Sequence, residues 1–166
     1  RSYDQDPRFG LIVLSEVALR ALSPAVNDPG TAIGVMATLT RLVVEADSAM
    51  ADQRTEAKAA RQARTDADAD TDADDIEFDR VTLPELDMRT LVADGFAPIA
   101  RDGAGMLEVG IRLQKMLATI ASNASAPIAQ EARLQARRAM ERGQTALSHP
   151  DDRRELQALH HELFGA

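Results

Sequence analysis

The sequence predicts an all-α fold, a helical bundle of five or six helices with a buried first helix and one short extended segment. Three observations predict it. Hydrophobic residues make up 45% of the chain but aromatic residues only 3%, so the core must be aliphatic; Leu, Met and Ala favour helices, whereas sheets draw on β-branched and aromatic side chains. Apolar residues recur at three- and four-residue spacing in several segments. Asp6-Pro7 and Asp28-Pro29 each pair a residue that caps free backbone N–H groups with a proline, which tolerates the first helical position because its missing donor costs nothing there.

The first helix is expected from Asp6-Pro7 to Leu22. From Phe9 to Leu22 only Ser15, Glu16 and Arg20 interrupt an apolar or small run. A helix apolar on most faces is a buried one, so this segment is expected at the centre of the bundle. Ser23-Pro24 ends it, because proline disfavours the helical state of the residue before it. Asn27-Asp28-Pro29 starts the second helix, expected to about Ser48, with Ile33, Met36, Leu39, Val43 and Ala46 on one face. Met50 to Arg64 is Ala-rich and charged, fit either to extend that helix into solvent or to fray. Ile76 to Leu83 alternates with a period near two and reads as the extended segment. Further helices are expected from about Asp87, from Met106 to Ile120, from Pro127 to about Leu147, and from His149-Pro150 to Phe164. The 166 residues make one helical domain, residues 1–166, interrupted by an acidic mobile loop at about 65–75.

The net charge of −8 is local. Asp66 to Asp79 holds eight acids and no Lys or Arg; the remaining acids match the 19 Lys and Arg residues. No field that would attract nucleic acid is left. Cysteine is absent, which excludes thiol chemistry and thiolate metal sites. The longest mainly apolar stretch, Gly10 to Val26, is too short and too charged to span a bilayer.

The opening block YDQDPRFGLIVLSEVALRALSPAVNDPGTAIGV resembles the signature of a bacterial family of predicted membrane proteins, domain-of-unknown-function family 2254. The resemblance rests on Gln5-Asp6, Phe9-Gly10, Ala18, Arg20 to Pro24, Asn27-Asp28-Pro29 and Thr31-Ala32, and is specific over residues 4–33. Ser2 stands where Thr is usual, and Ala25 where Gly is common, a departure in the turn. The resemblance implies transmembrane helices upstream in the parent chain, with the present residues as a soluble part attached to them at the cell membrane. It brings no activity, cofactor or catalytic residue.

The polar residues of the block supply the candidate site. Asn27 and Asp28 fall at a helix N-terminus, where free N–H groups can hold an anion; Arg8, Arg20 and Thr31 complete a candidate anion-binding turn. Glu16 and Arg20 are four apart and placed to pair as a structural ion pair. The same residues also suit a capped helical hairpin with no ligand. In the acidic run, Asp66, Asp68 and Asp70 with Glu77 at the twelfth place imitate a Ca²⁺-binding loop. Thr71 at the sixth place and Ala73 at the eighth do not fit that loop, nor does the extended segment after it. Adjacent His160 and His161 lack the spacing of a helical zinc site, so no metal ligand is assigned. No nucleophile motif or phosphate loop is present.

The reading is a non-catalytic domain of an integral membrane protein, serving assembly, regulation or sensing, with upstream transmembrane segments as partners and a second copy as a further candidate. The alternatives are a small anionic-ligand binder or enzyme using the turn at Asn27-Asp28, and a divalent-cation-responsive module acting through the acidic loop.

Overall fold

The structure, a computed structural model, describes residues 7–67 and 87–165. Among these residues there are six helices: α1 (Pro7–Leu22), α2 (Pro29–Ala67), α3 (Met88–Asp102), α4 (Leu107–Asn123), α5 (Ala126–Ala146) and α6 (Pro150–Phe164). The all-α bundle expected from composition and periodicity is the one observed. The expected extended segment, Ile76 to Leu83, lies outside the described residues. So does most of the acidic run; its first residues, Thr65 to Ala67, are the last of α2.

Local chemistry accounts for the helix ends. Ser23-Pro24 stops α1 at Leu22, and Asp28-Pro29 begins α2. Asp87 caps α3, its carboxylate accepting from the Arg89 N–H at 3.0 Å and from the Arg89 guanidinium at 2.9 Å. The cap of α5 comes from another helix. Asp47 of α2 accepts from the Ser125 N–H at 2.5 Å and from the Ser125 hydroxyl at 2.8 Å, which ties α2 to the start of α5. Helix α2 continues well past Ser48 because Ala51 to Ala67 contains neither Gly nor Pro and is rich in strong helix formers. Its 39 residues rise to about 58 Å at 1.5 Å each.

The helices pack as a graded series. Among the described residues, helix α1 touches only α2 and α3. Helix α6 touches only α4 and α5. Between them, α3 and α4 each meet four neighbours, α3 packing most on α1 and α5, α4 most on α5 and α2. Helix α1 is therefore marginal, not central. It buries one stripe, Leu11, Ser15, Ala18, Ala21 and Leu22, close to the three- and four-residue spacing of a single helix face. Its remaining apolar residues are half-exposed, and Val17 is 45% exposed. The centre belongs to α3, whose Leu91, Val92, Phe96 and Ile99 are all buried.

One polar network crosses the far end of the bundle. Gln114 of α4 is wholly buried. Its Nε2 donates to the Ala136 carbonyl of α5 at 2.9 Å, and its Oε1 lies 2.9 Å from His160 Nδ1 of α6. With both groups of the amide engaged, a buried residue that would otherwise be costly joins three helices. Burial, and then the nearby His161 and Arg137, hold the His160 imidazole below its ordinary value of 6.5.

Candidate functional site

The α1–turn–α2 hairpin carries every residue that the sequence nominates for the anion-binding turn; the acidic run beyond Ala67 lies outside the described residues. Its turn is built from backbone and side-chain hydrogen bonds. The Asn27 N–H donates to the Ser23 carbonyl at 2.8 Å, and the Asp28 N–H donates back to the Ala21 carbonyl at 2.8 Å. The Ser23 hydroxyl donates to the Arg20 carbonyl at 2.7 Å, which occupies one of the acceptors left free at the end of α1. Asn27 is the one non-glycine residue with positive φ, +48°, among the described residues. Asparagine tolerates that left-handed conformation better than most residues. Because the positive φ falls on Asn27 and not on Ala25, the departure from Gly at residue 25 introduces no strain.

Asp28 caps α2. Its Oδ1 accepts from the Thr31 N–H at 3.0 Å and its Oδ2 from the Thr31 hydroxyl at 2.6 Å. The Thr31 hydroxyl and then the Thr31 N–H hold the carboxyl below its ordinary value of 3.8. The carboxylate thus occupies the position at the N-terminus of α2 where an external anion would sit. Asp28→Ala should lower the melting temperature by a few degrees, measured by circular dichroism at neutral pH. The sign with pH follows from the depressed value: the cap's contribution is complete above about pH 4 and is lost as pH falls below it, so wild type and variant should converge in acid.

The other nominated residues do not gather at this turn. Arg8 is at the opposite end of α1, twelve residues and about 18 Å of helix rise from Arg20, and its Nε is 2.5 Å from Asp94 of α3. Glu16 and Arg20 are both exposed, and no ion pair joins them among the described residues. Their helix edge faces away from α2 and α3, so neither charge is desolvated and nothing drives them together. His149 Nδ1 lies 3.9 Å from the Asp151 carboxylate, but among the described residues no group of three or more His, Asp or Glu could hold a metal ion.

What the hairpin does form is an apolar groove. It has a cavity volume of about 700 Å³, and Leu11 and Leu14 of α1, Leu42, Ala46 and Met50 of α2, and Met88 of α3 are among the residues lining it. Sequence reasoning missed it because its walls come from three helices. The available signal was Leu42, which stands off the face set by Leu39 and Val43. Val17, Val26 and Leu42, the large hydrophobic residues left exposed among the described residues, all lie on α1, the turn or α2, at 45%, 53% and 37% exposure. Among the described residues no helix is long and apolar enough to cross a membrane.

Comparison with known proteins places this hairpin inside a family match. The chain is similar to uncharacterized proteins of Mycobacterium bovis and of two strains of Mycobacterium tuberculosis, each 33% identical over 132 residues, 76% of this chain and 21% of the relative. The chain therefore spans about a fifth of the length of the relatives it matches. No solved structure matches it. The profile of the predicted membrane protein family DUF2254 matches residues 1–119, which takes in α1, α2, α3 and most of α4. The chain belongs to that family of predicted membrane proteins.

Proposed function

We propose that this region is a non-catalytic helical assembly domain of a longer membrane protein, and that the α1–α2 face seats another polypeptide surface. The observation that carries the reading is the apolar groove, together with the confinement of the exposed Val17, Val26 and Leu42 to the same hairpin. A contiguous apolar surface rimmed by polar residues marks an interaction site. The length of the relatives, about five times the matched stretch, supplies further chain for such a surface to meet. The family's description as a predicted membrane protein supports a meeting at a membrane.

The turn at Asn27-Asp28 serves this reading by fixing how α1 lies on α2, and so by shaping the groove. The test is Leu42→Glu, a change at a partly exposed position that the fold should tolerate. In a longer membrane protein carrying this region, the native size after mild detergent extraction should fall or the protein should fail to accumulate. The isolated variant, compared at high dilution, should keep its wild-type melting temperature. An unchanged native size and yield for the variant would contradict the proposal.

A further inference from the structure

The geometry points to a second copy of this chain as the occupant of the groove, with the α2 helices of the two copies side by side and parallel. The inference rests on the reading of the groove as an assembly surface and names its partner.

On α2 the groove is floored by Ala46, Ala49, Met50 and Gln53. Ala57 continues the same face one turn further, where residues 51–59 are all exposed. The stripe therefore runs from the bundle onto a part of α2 that projects past it. A helix exposed on all sides gains little from burial and depends on its own side-chain pairs. Favourable pairs in a lone helix set opposite charges three or four residues apart.

Helix α2 does the reverse. Asp52 and Glu56 are four apart and both acidic; Arg54 and Lys58 are four apart and both basic. All four are exposed, and none has an ion-pair partner among the described residues. By the 3.6-residue period, Asp52 and Glu56 form one edge of the Ala49–Gln53–Ala57 stripe and Arg54 and Lys58 the other. Like charges in line on each edge weaken a solitary helix.

Those edges match a second copy in one orientation. A two-fold axis running along the helices brings the acidic edge of one α2 against the basic edge of the other, on both sides of the stripe. An antiparallel pairing would set acid against acid and base against base. The small residues of the stripe let the two backbones approach closely, and Leu14, Leu42 and Met50 add apolar area around the contact.

The experiment is sedimentation equilibrium on this chain from low to high micromolar concentration, with charge-reversed variants. The wild type should dimerise. Asp52→Lys/Glu56→Lys makes both edges basic and Arg54→Glu/Lys58→Glu makes both acidic; each variant alone should be monomeric, and an equimolar mixture should recover the dimer. The chain has no cysteine, so single introduced thiols report orientation. Ala49→Cys and Ala57→Cys, each in otherwise wild-type chain, should each form a disulfide with its own copy under mild oxidation. A wild type that stays monomeric throughout overturns the inference, as does one that binds lipid vesicles only as a monomer. Cross-linking only when the two cysteine variants are mixed overturns the parallel arrangement. A monomeric wild type, combined with loss of native size for Leu42→Glu in the longer protein, would remove the second copy while leaving the assembly reading in place.

Discussion

Phe96→Ala should lower the unfolding free energy by about 3–5 kcal/mol. Phe96 is the bulkiest of the fully buried side chains, 1% exposed, and it sits on α3, which packs against α1, α2, α4 and α5. Removing the ring takes away its transfer free energy and leaves a cavity that several helices would have to move together to close. Collapse is therefore limited, which sets the cost toward the upper part of the range. For a domain of this size the melting temperature should fall on the order of 10 °C, measured by thermal denaturation. A fall of only a degree or two would mean that α3 is not central.

The second large effect is at the other end of the series. Leu156 is the one buried residue of α6, 1% exposed. Its methyl groups sit where side chains would otherwise be: a Cβ at Gly143 of α5 would lie 2.4 Å from Leu156 Cδ2, and one at Gly110 of α4 would lie 3.3 Å from Cδ1. The two glycines make the hole and Leu156 fills it. Leu156→Ala should cost about 2–5 kcal/mol. Because α6 is otherwise held by the His160–Gln114 contact, the Arg153 bonds to α5 and its trailing segment, and the partly buried Phe164, the loss should be local. Hydrogen exchange should show the amides of α6 losing protection while α1 to α3 keep theirs. Uniform loss across all six helices would contradict this account of how α6 is held.

These two residues also show what could be read from the chain. The start of α6 was legible because His149 precedes Pro150, and that of α2 because Asp28 precedes Pro29; caps and prolines are local chemistry. That Leu156 is a knob for Gly110 and Gly143 was not legible, because the three lie on three helices and no periodicity relates them. The same holds for Asp47, which caps a helix 78 residues further on, and for Gln114, whose burial depends on His160. The central placement expected for α1 went astray for a related reason. An apolar run reports what a helix can bury, not how many neighbours it has, and α1 has only two.

The candidate site was legible in part. The turn Ser23 to Thr31 was marked by its polar residues, and Asp28 and Thr31 do meet. Arg8 did not join them, since adjacency in a short sequence block becomes about 18 Å along a helix. The groove was hidden because Leu14 looks like an ordinary core position until the packing leaves it partly uncovered, and because no local pattern brings Met88 of α3 beside Leu42 of α2. The Ile76 to Leu83 segment and most of the acidic run lie outside the described residues.

Whether the α1–α2 face is a covered assembly surface can be read from a single thiol. Leu42→Cys places a reactive group in the groove of a chain that has no other cysteine, and Ala37→Cys places one on an exposed turn of the same helix away from it. Both should react quickly with a water-soluble maleimide in the dilute isolated chain. In the longer protein inserted in its membrane, Ala37→Cys should react as before and Leu42→Cys should be protected. Equal labelling of Leu42→Cys in the two settings would contradict the account.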